Sequence, residues 1–177
     1  TWTSMFLADF PVPDGVRLIP FQASHRHAIK LTAFEAHSMA TLEQTGQASA
    51  MFEIQAASPS FTGVVDGRVV ACGGATHCYP GVAEMWLLAD ECLYSFAIRR
   101  KFWATFPRVI EALAQEMGLV RAQCVVLSSF HTSVKMMERL YFKKEGLLRK
   151  ASPTHKDLFV MARLFECAAE SRAVGST

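Results

Sequence analysis

The sequence predicts a mixed α/β domain in which a twisted sheet is flanked by helices. Three observations predict this class: a tight hairpin in the middle of the chain, a strand–helix–strand passage after it, and a helix followed by two closing strands. Alternating strand and helix patterns are typical of layered folds whose helices pack on a sheet. The length of 177 residues favours one domain, which we place at residues 16–166 between an arm at 1–15 and a tail at 167–177.

The composition excludes several broad classes of protein. Hydrophobic residues make up 51% of the chain and charged residues 19%, which excludes a disordered chain. No apolar run approaches the length of a membrane-spanning helix, so we expect no membrane partner. The formal net charge of +2 is too small to indicate a nucleic-acid-binding protein. Any anion site must therefore be local.

The cysteines indicate a reducing compartment. The chain has five cysteines, an odd number: Cys72, Cys78, Cys92, Cys124 and Cys167. No two of them have CxxC spacing. Free thiols in apolar segments are typical of cytoplasmic proteins, and we expect a cytoplasmic location. Cys72, His77 and Cys78 lie close in sequence, but the fourth ligand of a structural zinc site is absent, so no metal is predicted.

The chain begins with an arm and a first strand. The arm holds the apolar side chains Trp2, Met5, Phe6 and Phe10 and ends in proline and glycine residues that break regular structure. We expect these side chains to lie over the domain. Alternating apolar residues predict a first strand at residues 16–21. Its proline, Pro20, places that strand at a sheet edge.

Two helical stretches follow the first strand. Ser24 is typical of an N-cap, and apolar residues at helical offsets predict helices at 25–31 and 33–45, the second ending at Gly46. A polar, Ala-rich connection is predicted from there to Pro59.

The middle of the chain predicts three consecutive antiparallel strands. Residues 60–65 and 68–75 read as strands joined by Asp-Gly at 66–67, the dipeptide that suits a two-residue type I′ turn. A second turn at 79–81 has Pro and Gly where a type II turn requires them. A strand at 82–88 follows it.

The segment after the third of these strands has helical spacing interrupted by a proline. We expect a loop or short separate helix at residues 91–104, then a helix that Thr105 caps, with Pro107 in its first turn and Gly118 as its stop. This segment contains the aromatic residues Phe96, Phe102, Trp103 and Phe106. They are expected either to pack in the core or to form an exposed patch that binds a partner.

The last third of the chain alternates strand, helix and strands. A Val- and Leu-rich strand is predicted at 119–127 and a helix at 128–140, opened by two serines. Two closing strands are predicted at 143–149 and 157–165.

This order of elements, together with four segments, resembles the GCN5-related N-acetyltransferase superfamily. The segments are VDGRVVACGG on the hairpin, AEMWLL on the next strand, EALAQEMGLVRAQCVV across a helix and strand, and MMERLYFKKEGLLRK near the end. Within the superfamily, SFTGVVDGRVVACGG paired with GVAEMWLL is most similar to divergent acetyltransferase-like proteins of tailed phages, some of them internal virion proteins. The resemblance covers roughly residues 16–165.

The resemblance implies acetyl-CoA as a cofactor, wedged between splayed fourth and fifth strands. Pantetheine is a chain of amides, so a strand with unpaired backbone groups can bind it like an added strand. We expect that strand to contribute Trp86, Leu87, Leu88 and Ala89. The fourth and fifth strands should be parallel neighbours that diverge at their C-terminal ends, joined by a helical crossover.

The family binds the pyrophosphate with a loop of the form Gln/Arg-x-x-Gly-x-Gly/Ala, and this sequence has no such glycines after the fourth strand. It offers Arg99 and Arg100 before the predicted helix start at Thr105, with Lys101 and Arg108 nearby. Cations and a helix N-terminus would then replace the glycines around the anion. The alternative is that these cations form the solvated face of an ordinary helix.

The resemblance also implies a general base and a general acid. Glu84 matches the family's base on the fourth strand, where apolar neighbours would desolvate it; the alternative is a strand glutamate that simply faces solvent. Met137 stands where the family has its tyrosine acid, and a thioether donates no proton. Tyr141, at the place of the usual glycine, and His131 are the nearest substitute acids; the alternative for Tyr141 is a buried core residue with one hydrogen bond. Phe130 or His131 lies where an asparagine commonly contacts CoA.

Two functions therefore remain open from the sequence. The first is an N-acetyltransferase that moves acetyl from acetyl-CoA to an amine of a protein or small molecule. The second is a catalytically degenerate protein of the same fold that docks on a host enzyme or virion component. Three histidines lie near the family's substrate entrance: His25, His27 and His37. The simpler interpretation is that they lie on solvated helix faces.

Overall fold

The computed structural model describes Leu7 and residues 9–166. The predicted arm aromatics Trp2, Met5 and Phe6, and the predicted tail, lie outside the described residues. Among the residues described, no helix is both long enough and apolar enough to cross a membrane.

Seven strands and four α-helices make up the described fold. The strands are β1 (Val16–Pro20), β2 (Ser60–Val65), β3 (Arg68–Tyr79), β4 (Val82–Ala89), β5 (Arg121–Leu127), β6 (Lys143–Leu148) and β7 (Leu158–Leu164). The helices are α1 (Ala33–Gln44), α2 (Gln47–Ala57), α3 (Phe96–Glu116) and α4 (His131–Arg139), with 3₁₀ helices at Ala23–Ala28 and Glu91–Tyr94. The strands are hydrogen-bonded in the order β1-β2-β3-β4-β5-β7-β6, with parallel and antiparallel neighbours. The predicted mixed α/β class is confirmed.

The chain divides into two compact units. The first contains Thr1–Thr76 and Met85–Val109, and the second contains His77–Glu84 and Ile110–Thr177. Because β3, β4 and α3 each contribute to both, the units are not successive stretches of sequence.

In the first unit, β1 pairs antiparallel with β2, and β2 with β3. The predicted hairpin is confirmed: Val65 faces Arg68, and the residues between them, Asp66 and Gly67, have φ of 49° and 82°. Positive φ at both positions is what a type I′ turn requires. Phe102 and Phe106 of α3 are buried and stack with ring centroids 4.7 Å apart, so they are core residues and not an exposed patch.

A hydrophobic core cluster of the first unit includes residues of α2 and residues that flank the 3₁₀ helix Ala23–Ala28. Its buried members are Phe21, Ile29, Ala48, Phe52 and Cys72. The sequence prediction of a polar connection from Gly46 to Pro59 is wrong, because residues 47–57 form α2. That helix buries Ala48 and Phe52, four residues apart, while its other apolar residues spread around the helix and leave no clear periodicity.

In the second unit, β4 pairs parallel with β5, and β7 pairs antiparallel with both β5 and β6. The two predicted closing strands are confirmed. Gly81, with φ 75°, occupies the third position of the predicted turn before β4. Gly118, with φ 61°, follows the end of α3, where Leu119 N–H donates to the carbonyl of Ala114 at 2.8 Å.

Three predicted helix starts are wrong. Gln22, not Ser24, caps the first 3₁₀ helix. α4 begins at His131 with Phe130 as its N-cap, so the two serines at 128 and 129 precede the helix and do not open it. α3 begins at Phe96, so Thr105 lies inside it, and the helix continues through Pro107. A proline inside a helix costs about 3 kcal/mol, whereas burying one large apolar side chain gains about 1.5–3 kcal/mol. Burial of the apolar face therefore outweighs the proline; its buried members include Phe102, Phe106, Val109, Ile110 and Leu113.

Candidate functional site

The start of β4 pairs parallel with β5. The described pairs are Val82–Arg121, Ala83–Ala122 and Glu84–Gln123. The prediction that these strands are parallel neighbours is confirmed.

The C-terminal half of β4 belongs to the first unit and contributes side chains to its core. The Trp86 ring lies 5.0 Å from that of Phe21, centroid to centroid, in an edge arrangement, and Leu88 packs against the same core. A Cβ built on Gly73 of β3 would lie 3.1 Å from the Trp86 carbonyl oxygen. Glycine at this position therefore lets the two strands approach closely.

Asp90, the first residue after β4, has a fully buried carboxylate with three donors. The backbone N–H groups of Lys30 and Cys92 and a guanidinium N–H of Arg68 each donate to it at 2.8 Å. Burial by itself raises the pKa of Asp90, but the hydrogen bonds from Cys92 and Lys30 and the charge of Arg68 outweigh it, so the pKa lies below its ordinary value. Asp90 thus fixes the end of β4 to the segment before α1.

Sequence reasoning missed Asp90. The available signal was an Asp directly before a short helical turn, since Asp90 caps the 3₁₀ helix Glu91–Tyr94. Where the resemblance predicts a glycine-rich phosphate loop, this chain has a turn capped by a buried carboxylate.

Of the four cations predicted to surround the phosphates, two are engaged elsewhere. Lys101 is ion-paired with Asp66 at 2.9 Å, and the Arg108 guanidinium lies 5.6 Å from the ring centroid of Phe10. Arg99 and Arg100 are exposed on the first turns of α3. A helix N-terminus carries unpaired N–H groups and a partial positive charge, so both arginines lie where an anion is favoured.

Thr105 is corrected from a phosphate-binding cap to a buried helix residue. Its hydroxyl donates to the carbonyl of Lys101 at 3.0 Å, one turn earlier in α3. A residue in mid-helix has no free backbone N–H for an anion.

Glu84 lies on β4 in the second unit and is exposed, so the burial expected from its apolar sequence neighbours is wrong. Its charge acts on Cys124 of β5: burial mainly, and Glu84 in addition, raise the pKa of Cys124 to about 12. This thiol therefore remains protonated and inert at neutral pH, while the Glu84 carboxylate faces solvent.

Tyr141 is placed by the C-terminal cap of α4. Its own N–H donates to the carbonyl of Glu138, and the N–H of Phe142 donates to the carbonyl of Met137, both at 3.0 Å. These are the two bonds of a Schellman motif, which puts Tyr141 at the left-handed position usually filled by glycine, with φ 67°. The side chain is 75% exposed, with the Arg163 guanidinium 5.4 Å from its ring centroid.

The other two candidates of α4 differ in burial. Met137 is buried in the core. His131 is the first residue of α4 and is exposed. The hydroxyl of Tyr141 and the imidazole of His131 are thus both accessible, whereas the Met137 thioether is not.

His25 is not a solvated helix-face residue. Its Nδ1 lies 2.8 Å from the Thr62 hydroxyl and accepts from the Gln22 N–H at 3.3 Å. The Thr62 hydroxyl also lies 3.5 Å from the Cys72 sulfur, and burial raises the pKa of Cys72 to about 11. Because Nδ1 accepts from a backbone N–H, the neutral ring carries its proton on Nε2.

No group of three or more His, Cys, Asp or Glu side chains in the described part of the chain is arranged to hold a metal ion. No known sequence family matches the chain, and no curated protein matches it in sequence.

Solved structures, however, share the fold. The chain is similar to RimL, an α-N-acetyltransferase of a ribosomal protein in complex with coenzyme A, with a TM-score of 0.63, 12% identity, and coverage of 88% of this chain and 97% of that one. Ard1 from Thermoplasma volcanium matches with a TM-score of 0.63, 10% identity and coverage of 86% and 99%. RimJ from Mycobacterium smegmatis, in complex with a CoA disulfide, matches with a TM-score of 0.58, 14% identity and coverage of 90% and 88%. The fold is therefore that of the GCN5-related N-acetyltransferases.

Proposed function

We propose that this protein binds acetyl-CoA and transfers its acetyl group to an amine. The observation that carries the proposal is the parallel β4–β5 pair in a fold shared with acetyltransferases solved with CoA. In this proposal β4 diverges from β5 beyond its paired start, and a strand that leaves its neighbour offers backbone donors and acceptors to an amide-rich ligand.

Pantetheine then runs along the backbone of Trp86, Leu87, Leu88 and Ala89, as the sequence resemblance predicts. The phosphates lie at the first turn of α3 with Arg99 and Arg100. Both parts of this surface belong to the first unit. Charge-assisted hydrogen bonds from guanidinium groups are stronger than neutral ones and suit phosphate oxygens.

The chemical step needs one base and one acid, because the thioester is already activated. The amine nitrogen attacks the thioester carbonyl carbon, a C–N bond forms and the C–S bond breaks. Glu84 takes the proton of the amine, directly or through a water, and the Tyr141 hydroxyl protonates the departing thiolate. Both side chains are exposed, so after each turnover Glu84 releases its proton to solvent and Tyr141 takes one up from it.

A second candidate is a protein that keeps the fold and acts by docking on a partner. Two observations favour it: the turn after β4 has no glycines, and Met137 is buried where the family has its acid. A host or virion partner belongs to this second proposal, whereas phage encoding was expected of the acetyltransferase as well. Both expectations rest on the sequence pattern alone.

Turnover separates the two proposals. Release of CoA thiol from acetyl-CoA is followed with a panel of amines, with Glu84→Gln and, as a matched control, Glu43→Gln on α1. If Glu84 is the base, Glu84→Gln lowers turnover about 100-fold or more while acetyl-CoA affinity stays unchanged. The exposed Glu43 has no role in the step, so its substitution has no effect. Absence of amine-dependent thiol release by the unmodified protein overturns the enzymatic proposal.

A further inference from the structure

Positive charge is concentrated in the connection between β6 and β7 of the second unit. Residues 149–156, which we call the basic loop, contain Arg149, Lys150, Lys156 and a histidine, and no carboxylate. The whole chain, by contrast, carries a formal net charge of only +2. A cluster of one sign of charge on an almost neutral protein favours an anionic partner at that place.

The charged side chains of the basic loop are available to such a partner. Arg149, Lys150 and Lys156 are exposed, as is His155. In the part of the chain that the structure describes, none of the three cations forms an ion pair. The preceding strand β6 lies at the edge of the sheet and is exposed along its length, so it leaves the loop open to solvent.

Hydrogen bonds close the basic loop on itself and hold its cations near one another. The N–H of Lys156 donates to the hydroxyl of the buried Ser152 at 2.8 Å, and the N–H of Ser152 donates to the carbonyl of Lys156 at 3.0 Å. The N–H of His155 donates to the Ser152 carbonyl at 2.8 Å. At the start of the loop, the N–H of Lys150 donates to Asp157 Oδ1 at 2.8 Å. Lys150, His155 and Lys156 therefore belong to one compact turn.

Two residues of the basic loop have a strained backbone. Lys150 and His155 have φ of 52° and 57°, in the left-handed region that glycine adopts most easily. Strained positions of this kind are concentrated at functional sites, where the side chain has a role that glycine could not fill. Here the two strained positions carry a cation and an aromatic imidazole.

The composition of the basic loop favours one class of anion over two others. Protein interfaces are depleted in lysine and enriched in large aromatic residues, which the loop lacks. Binding at a membrane surface requires large apolar side chains that enter the lipid, and the loop has none. The phosphates of a nucleic acid require only exposed cations, and an imidazole can stack on an unpaired base.

We propose that the basic loop binds single-stranded nucleic acid, with Arg149, Lys150 and Lys156 on the phosphates and His155 stacked on a base. Recognition is independent of base sequence, because the cations contact the backbone. This binding does not depend on acetyl transfer, and it adds a macromolecular partner to the proposed function.

The test measures binding of a fluorescent single-stranded RNA of about 20 nucleotides, longer than one typical binding site, by anisotropy at several salt concentrations. Arg149→Gln, Lys150→Gln and Lys156→Gln together should weaken binding at least about 10-fold. They should also reduce the slope of log affinity against log salt by about 2, since each phosphate contact to a single strand adds about 0.7. The control combines Arg17→Gln, Lys30→Gln and Arg108→Gln, which remove the same charge from exposed positions of the first unit and should have little effect.

Lys150→Gly separates a binding role from a structural one. Glycine adopts the left-handed φ without strain, so this variant should not lower the melting temperature. It loses one cation, however, and should bind the RNA at least about 3-fold more weakly. Unchanged RNA binding by Lys150→Gly would show that the lysine only shapes the loop, and the proposal would be wrong.

Competing anions identify the site and the class of partner. Saturating acetyl-CoA should leave the RNA bound; displacement would place the RNA at the cofactor site and overturn the proposal. Vesicles of phosphatidylcholine with about 30% phosphatidylserine, and poly-glutamate, should bind more weakly than the RNA. Tighter binding of either, equal losses in the two triple variants, or no RNA binding by the unmodified protein at about 50 mM salt would also overturn it.

Discussion

The carboxylate of Glu84 within β4 and that of Asp90 directly after β4 lie in opposite environments. Glu84, within the strand, is exposed, whereas Asp90, directly after it, is fully buried and accepts three hydrogen bonds. Asp90 is held in one charge state by its donors and is closed to any substrate. Asp90 therefore stabilises the strand end, while Glu84 remains accessible to solvent.

The largest effect on stability should come from Asp90. Asp90→Ala leaves the N–H groups of Lys30 and Cys92 and the Arg68 guanidinium without their acceptor, so we expect a loss of about 3–5 kcal/mol in the free energy of unfolding, measured by urea denaturation. Glu91→Ala is the control, because its ion pair with Lys30 is solvent-exposed on both sides and is worth less than about 1 kcal/mol. Similar losses in the two variants would contradict the structural role of Asp90.

The stabilisation by Asp90 should also depend on pH. Its folded-state pKa lies below the ordinary value of 3.8, so the ionised form stabilises the fold above that pH, and the stabilisation is lost as the pH falls below it. The difference in unfolding free energy between the unmodified protein and Asp90→Asn should therefore shrink in acid. A difference that stays constant from about pH 6 to pH 3 would show that Asp90 is not held ionised.

A smaller effect is expected at Tyr141. Its left-handed φ strains any residue with a Cβ, so Tyr141→Gly should stabilise the protein by about 1 kcal/mol in thermal unfolding. The same change removes the proposed acid and should lower turnover, and Tyr141→Phe should lower turnover without the gain in stability. Equal turnover in all three proteins would remove Tyr141 from the mechanism.

The parts of the fold that sequence predicted are those determined locally. Asp66 and Gly67 make the hairpin turn from their own conformational preferences, and Gly118 ends α3 in the same way. α2 was missed because its buried residues, Ala48 and Phe52, do not form a periodic stripe. The start of α3 was missed because burial of its apolar face overrides the break that Pro107 indicates.

The sequence proposes Glu84, Arg99 and Arg100 as site residues because the order of elements places them at known points of the fold, and their roles stay predictions. The environments of the residues around them were not predicted. The bonds of Asp90 could not be found, since its partner Lys30 lies 60 residues away in sequence, and the contact of His25 with Thr62 spans 37 residues. Such contacts exist only after the elements have packed together.

The proposal that the end of β4 and the start of α3 hold CoA is tested by calorimetry with acetyl-CoA and with pantetheine, which lacks the phosphates. Arg99→Gln combined with Arg100→Gln should weaken acetyl-CoA binding about 10-fold or more and leave pantetheine binding unchanged, because only CoA carries the anions. Lys135→Gln with Lys143→Gln removes the same charge from exposed positions in the second unit and should have little effect. Equal weakening of both ligands, or no binding of acetyl-CoA by the unmodified protein, would show that CoA is not held there.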